Sequence, residues 1–179
     1  TRNGGLAHIR GRQVRSLTEA QGLPSNRIRM LQLARSGELL VGTINGIAIL
    51  DLRDRLRVFK PPCGVGFRMV FEAPDGTVFA GSQDGALVAI AGAQVRCLDT
   101  STLPRPLVFQ TMIHHEGRLY VGTSQGVFEL EGGTTLRGPL CGGAEVRWFA
   151  VDGEGALWAP SRTLGAWRRQ GGTGRSFAA

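Results

Sequence analysis

Lysine is almost absent from this sequence: Lys60 stands alone against 20 arginines, and the formal net charge is +7. Cysteine is scarce too. Cys63, Cys97 and Cys141 show no CxxC spacing, so no metal or redox motif can be built from them. Cys63 and Cys141 fall at nearly equivalent places in the repeat described below, which argues for repeat-derived placement over a disulfide. No apolar run is long enough to cross a membrane, and no signal-peptide pattern or low-complexity linker is present. No stretch shows helical periodicity long enough to make a helix, which excludes the α-helical classes. There is no Ser/His/Asp grouping, phosphate loop or carboxylate pair, so no catalytic residues, metal or cofactor are predicted.

What the sequence has instead is a phrase repeated at nearly fixed spacing. It reads Leu39-Leu40-Val41-Gly42-Thr43, Val78-Phe79-Ala80-Gly81-Ser82, Leu119-Tyr120-Val121-Gly122-Thr123 and Leu157-Trp158-Ala159-Pro160-Ser161. The spacings between Gly42, Gly81, Gly122 and Pro160 are 39, 41 and 38 residues, the period of a four-stranded propeller blade. Five residues before the phrase's glycine lies another, at Gly37, Gly76 and Gly117, with Gly155 before Pro160. Each follows Ser36, Asp75, Glu116 or Glu154, the chemistry of a tight hairpin between a strand A and a strand B. A third glycine follows the phrase (Gly46, Gly85, Gly126, Gly165) and opens an apolar strand C. Ile28, Phe67, Val108 and Val146 are read as opening strand A. The expected fold is therefore all-β, a propeller segment of about four four-stranded blades.

Runs such as Leu39-Leu40-Val41 do not alternate, as expected where a strand is covered on both faces by neighbouring sheets. Strand D differs, because Arg53, Arg55 and Arg57 alternate with Leu52, Leu56 and Val58 as on a charged edge strand. The chain reads as a single propeller segment: 1–21 ending a preceding blade, full blades at 22–60, 61–99 and 100–138, and a divergent last blade at 139–179. Its first residues match Thr43–Leu50 and its last ones match the strand D at 11–17. That makes roughly four and a half blades, part of a larger propeller. Open ends of this kind would leave apolar faces seeking partners.

A basic chain can bind nucleic acid. Here Arg10, Arg12, Arg15, Arg53, Arg55, Arg57, Arg96, Arg168 and Arg169 lie on predicted outer strands with no interleaved aromatics for base stacking, so no nucleic acid is expected as partner. A second set is more informative. Arg29, Arg68 and Arg147 share the second position of strand A, with Phe109 in the third blade. Strand A lines a propeller's channel, so these guanidiniums are placed at the channel mouth, beside Asn45, Gln83, Asp84, Ser124 and Gln125 of the B-to-C loops. Converging donors there could hold a carboxylate, a phosphate or a sugar acid. The bland alternative is a blade consensus arginine bonded to loop carbonyls. His114-His115-Glu116 flanks a hairpin at the other end, and adjacent strand residues point to opposite faces, so the two histidines do not share a metal ion.

Gly22-Leu23-Pro24-Ser25-Asn26, then Ile28-Arg29, Leu31, Gly37-Glu38-Leu39-Leu40-Val41-Gly42-Thr43 and Asn45-Gly46-Ile47, resembles the two-component regulator propeller repeat. The likeness runs the length of the chain. Ala34, Ala73 and His114 stand where that repeat has Asp, which only Asp152 keeps; its Trp survives as Trp158, and Pro160 replaces a Gly. The resemblance implies an extracytoplasmic, periplasmic sensor part of a bacterial inner-membrane receptor. Its partners would be an unknown small-molecule ligand, the remaining blades and downstream signalling domains, and a second copy in a homodimer. Two other readings stay open: a propeller lyase resembling virginiamycin B lyase, and a protein-binding scaffold.

Overall fold

Short runs of Val, Ile, Leu and Phe bounded by glycine turns can satisfy their backbone groups only by pairing with one another, and they do so in sequence order. The computed structural model of the protein describes residues 3–141, 143–161 and 165–177. Thr1, Arg2, Ala178 and Ala179, which enter the matching of the chain's two ends above, lie outside the described residues. A hairpin of β1 (Leu6–Arg10) and β2 (Gln13–Leu17) comes first. The first four-stranded sheet is β3 (Ile28–Leu33), β4 (Leu39–Thr43), β5 (Ile47–Leu50) and β6 (Leu56–Phe59). The second is β7 (Phe67–Glu72), β8 (Val78–Ser82), β9 (Leu87–Ala91) and β10 (Gln94–Leu98). The third is β11 (Phe109–His115), β12 (Arg118–Thr123), β13 (Gly126–Glu131) and β14 (Thr135–Arg137). The fourth is β15 (Ala150–Val151), β16 (Leu157–Ser161), β17 (Gly165–Gln170) and β18 (Thr173–Phe177). Every pairing is antiparallel between consecutive strands, and the inner strands β3, β7 and β11 pack against one another in turn.

The core lies between the sheets. Leu40, Ile47 and Ile49 meet Phe67, Val70 and Val88 across the first gap. Met69, Phe79 and Leu87 meet Phe109, Met112 and Val121 across the second. Tyr120 and Val127 meet Val146, Leu157 and Trp167 across the third. Leu40 and Val41, adjacent on one strand, are both fully buried, so the non-alternating run is a strand covered on both faces.

The repeated phrase has two jobs. A Cβ on Gly42 would lie 2.4 Å from the Phe67 carbonyl oxygen, one on Gly81 within 2.3 Å of Phe109 Cβ, and one on Gly122 within 2.9 Å of the Val146 oxygen. Phe67 and Phe109 open the next sheets' inner strands, while Val146, expected to open the fourth, makes an isolated bridge to Ser161 ahead of β15, so the glycine is where neighbouring sheets touch. The buried Thr43, Ser82 and Thr123 then close the turn that follows: Thr43 Oγ1 donates to the Gly46 carbonyl at 2.8 Å and Thr123 Oγ1 to that of Gly126 at 3.0 Å.

Gly22-Leu23-Pro24-Ser25-Asn26 is likewise an architectural connection. Leu23 is buried against Leu6, Val41 and Ala48. Ser25 Oγ accepts from the Arg27 amide, while Asn26 and Glu19 bond reciprocally, side chain to backbone, at 2.8 and 2.7 Å. In the fourth sheet the Asp and Trp of the repeat are bonded to each other, Trp158 Nε1 donating to Asp152 Oδ2 at 2.6 Å. That bond, with the Ala156 amide, holds the Asp152 carboxyl below its ordinary range.

Four expectations are corrected. Cys63 and Cys97 form a disulfide, with Cα atoms 6.4 Å apart, and Cys141 is free. The spacing of equivalent repeat positions concealed it, because the bridge joins unlike positions: the connection entering the second sheet and that sheet's own outer strand. Arg53 and Arg55 are not on an outer strand; the Asp51 carboxylate accepts both their amides and turns the chain before β6, leaving Arg57 on the edge. Arg10 ends β1 and Arg12 stands in the turn before β2, and Arg168 and Arg169 stand on β17, the third strand of its sheet, not the outer one. Finally, the third inner strand opens at Phe109, not Val108, because its hairpin is shorter. Glu116 and Gly117, at φ +47° and +75°, make a two-residue turn where the other sheets have five-residue turns such as Ala34–Glu38. His114 therefore pairs with Leu119 and is not the counterpart of Ala34, Ala73 and Asp152.

Two outcomes test this packing. The Cys63→Ser/Cys97→Ser double variant should lose about 2–4 kcal/mol of stability in denaturant titration, since the bridge closes a 34-residue separation, while Cys141→Ser should change little. Thiol titration of the native protein should find one reactive equivalent after unfolding without reductant. Gly81→Ala should cost about 1–3 kcal/mol, because Phe109 Cβ belongs to a neighbouring backbone and cannot swing away. The same change at Gly92, where a Cβ meets nothing, tests positive φ alone.

Candidate functional site

The inner strands of the first three sheets each begin with a bulge. In β3 the pairing skips from Ile28↔Thr43 to Met30↔Gly42, in β7 from Phe67↔Ser82 to Met69↔Gly81, and in β11 from Phe109↔Thr123 to Thr111↔Gly122. The residues skipped are Arg29, Arg68 and Gln110. In the fourth sheet Val146 bridges Ser161, which puts Arg147 in the same place. Phe109, expected there for the third sheet, is instead fully buried as the counterpart of Ile28 and Phe67, and Gln110 takes the arginine's place. A bulge frees one residue per strand from the ladder and re-aims its side chain, so the close approach at the glycine and the projecting polar residue are neighbours in the chain by construction.

The end of the sheets carrying these bulges is stitched together by backbone bonds. Ile44 donates to the Arg27 carbonyl and accepts from the Gly66 amide at 2.8 Å; Gln83 donates to Gly66 at 3.0 Å, Ser124 to Val108 and Val146 to Thr123 at 2.9 Å each. Several of the predicted loop residues serve this stitching. Asp84 Oδ1 accepts from the Val65 amide at 3.1 Å and from Ser82 Oγ. Gln125 Nε2 donates to the Pro106 carbonyl at 2.8 Å, Ser124 Oγ to the same carbonyl at 3.1 Å, and the Gln83 side chain packs on Gly66. Asn45 is exposed, and its side chain has no hydrogen bond to the described residues.

The four bulge positions fall into two electrostatic halves. Arg147 Nε pairs with Glu145 Oε1 at 2.9 Å, and Gln110 Nε2 donates to the same oxygen at 2.8 Å. Glu145 raises the Arg147 pKa accordingly. Arg29 and Arg68 are exposed and have no ion pair or side-chain hydrogen bond to the described residues. Partial burial, and after it the charges of Arg68 and Arg27, pull the Arg29 guanidinium below its ordinary pKa.

A groove of about 520 Å³ lies at the hairpin end, between the second and third sheets, past Asp75, Phe79, His114 and Arg118. Three of its charged groups are paired, Arg118 with Glu129 at 2.6 Å and Glu131 with Arg137. His114 is exposed and His115 buried, on opposite faces of β11. Among the described residues no group of three His, Cys, Asp or Glu could hold a metal ion.

No protein-family model matches the chain, and no curated protein does. Solved structures do. The extracellular domain of BT3049, described as a hybrid two-component system of B. thetaiotaomicron, superimposes with a TM-score of 0.75 at 16% identity, over 94% of this chain and 24% of that one. The chain has the fold of a β-propeller segment. Virginiamycin B lyase from Staphylococcus aureus matches at TM-score 0.74 and 12% identity, over 93% of this chain and 59% of the lyase. PorZ, a surface component of the type-IX secretion system of Porphyromonas gingivalis, matches at 0.73 and 13%, over 99% of this chain and 31% of PorZ. This propeller part thus spans about a quarter of the BT3049 domain. At these identities the likeness establishes the fold, which sensors and lyases share, and leaves the activity to the residues. Several of the matched structures are extracellular domains, and the Cys63–Cys97 disulfide is consistent with an extracytoplasmic location.

Asp84→Ala should release the connection 61–66. The Val65 amide should then exchange at least about tenfold faster by hydrogen-exchange NMR, with the core amides of β8 and β9 unaffected.

Proposed function

We propose that this propeller segment is the non-catalytic, ligand-sensing part of a bacterial membrane-associated signal-transduction protein, exposed to the periplasm. Its ligand is a small anionic or carbohydrate molecule bound at the mouth where Arg29, Arg68 and Arg147 project. The observation that carries this reading is the pair Arg29 and Arg68: two cations at equivalent bulges of neighbouring inner strands, without counter-ions among the described residues. Unpaired guanidiniums confer no stability where they stand, whereas they suit the recognition of carboxylate or phosphate. Asn45, Gln83, Asp84 and Gln125 border the same mouth, the last two through their hold on the connections beside it.

The rest of the receptor enters through the uncovered faces. Ile9, Val14 and Leu33 are 67%, 63% and 70% exposed beside the first sheet, and Trp148, Val151 and Phe177 are exposed on the fourth. Sheet faces of this composition suit further blades, which supports a longer propeller joined to signalling domains and, through them, a dimer whose arrangement the ligand biases. The likeness to BT3049 supports the same reading.

A second reading, a propeller lyase, is favoured by the equally good superposition on virginiamycin B lyase. Residues at this mouth offer cations, amides and the paired Glu145, with no histidine among them.

Calorimetric titration of the intact protein against uronic acids, oligosaccharides and phosphorylated metabolites should find a binder, and Arg29→Ala with Arg68→Ala should abolish the signalling response to it while the fold is retained. An unchanged response in that double variant would overturn the sensing role of the mouth. Incubation with a streptogramin B antibiotic should leave it intact by mass spectrometry; opening of its ring would establish the lyase reading instead.

A further inference from the structure

Resting on the reading above, we propose that the mouth is divided, with Arg27, Arg29 and Arg68 forming a site for a dianionic phosphate monoester while Arg147, Gln110 and Glu145 form a neutral flank that meets the ligand's hydroxyl groups.

The division follows from how charge is distributed over equivalent positions. Three sheets present the same bulge and the fourth places Arg147 beside an isolated bridge, and at two of these four positions the projecting group is already committed. Glu145 neutralises Arg147 and takes the Gln110 amide on the same oxygen. An anion arriving at Arg147 would have to displace a carboxylate at 2.9 Å, and an anion near Gln110 would face that same carboxylate. Nothing of the sort guards the other half. Arg29 and Arg68 project from β3 and β7, which pack side by side, and Arg27 lies two residues before Arg29 on the connection entering β3. None of the three side chains has an ion pair or hydrogen bond to the described residues. Desolvation, and after it the charges of Arg68 and Arg27, disfavour the charged form of Arg29.

Three guanidiniums repelling one another bind a divalent anion better than a monovalent one, because each added ligand charge relieves repulsion as well as adding attraction. A phosphate monoester carries close to two charges at neutral pH and one below its second pKa near 6, and its oxygens match the guanidinium fork. The flank suits the remainder of such a ligand. Glu145, its side chain 26% exposed, has lone pairs left after accepting from Arg147 and Gln110, and a carboxylate accepts from hydroxyls. The backbone under Arg29 and Arg68 is held by the Ile44–Arg27 and Gly66–Ile44 bonds, so the two guanidiniums spring from a fixed base.

The test uses the intact protein in low-salt calorimetric titrations with glucose 6-phosphate, inorganic phosphate, galacturonate and glucose. Glucose 6-phosphate should bind tightest, inorganic phosphate and galacturonate more weakly, and glucose not measurably. Lowering the pH from about 7.5 to about 5.5 should weaken glucose 6-phosphate binding at least about fivefold, following the phosphate's second ionisation, and leave galacturonate binding nearly unchanged. Arg29→Ala and Arg68→Ala should each weaken it about tenfold or more, and Arg147→Ala less than about threefold. Arg29→Lys, which keeps the charge, should recover part of the loss. Galacturonate binding as tightly as glucose 6-phosphate, or depending on Arg147 as strongly as on Arg29, would overturn the dianion assignment while leaving the mouth a ligand site. Absence of binding by all four probes would also overturn it, and the sensing role would then rest on the signalling response of the Arg29/Arg68 variant alone.

Discussion

Everything in this fold depends on one contact: the chain at or just before each later sheet's inner strand lying directly on a glycine in the second strand of the sheet before it. Gly42 faces Phe67, Gly81 faces Phe109 and Gly122 faces Val146, each at a distance that leaves no room for a Cβ. The approach is close because both faces of the second strand are buried, and a side chain at that point would prise two sheets apart and open the apolar clusters on either side. It also sets the spacing of the sequence, since each sheet must return a glycine to the same height before the next can dock. The fourth copy has Pro160 in that place, and Pro160 is exposed.

The same contact explains why polar groups gather at one end. Where the inner strand meets the glycine, its pairing skips a residue, and the skipped residue leaves the ladder. Repetition of the contact therefore repeats a projecting side chain, whatever its identity. Natural variation at that one position then writes the chemistry of the mouth: arginine in three sheets, glutamine in one, and a glutamate two residues before the last arginine that neutralises it. Architecture and recognition are coupled through a single backbone irregularity. The loops around it contribute mainly rigidity, through Asp84, Ser124 and Gln125 and through the disulfide that ties the connection at Cys63 to the outer strand at Cys97.

Such an arrangement does not by its fold choose between sensing and catalysis, as the superpositions on BT3049 and on virginiamycin B lyase make plain. What distinguishes this chain is the state of its charges. At the hairpin end Arg118 pairs with Glu129, and at the fourth sheet Asp152 is spent on Trp158 and on turn amides. Arg29 and Arg68 are the contrast, and they stand at equivalent bulges of neighbouring inner strands.

Local chemistry was enough to read the repeat period, the hairpin glycines, the all-β class and the doubly buried runs, because each depends on residues close in sequence: a turn needing positive φ, or a strand needing apolar groups on both faces. Arg29, Arg68 and Arg147 were legible for the same reason, as a position counted from a glycine. Counting fails in the third sheet, where a two-residue hairpin at Glu116-Gly117 replaces a five-residue turn and moves the register by one, so the count lands on Phe109 and the position belongs to Gln110. The disulfide is also out of reach, since Cys63 and Cys97 are equivalent in no repeat and meet only where the connection entering the second sheet reaches that sheet's outer strand. The pairing of Arg147 with Glu145, and its absence at Arg29 and Arg68 among the described residues, is decided by tertiary structure alone. Ion pairing depends on where side chains end in space, and the sequence records only where they begin.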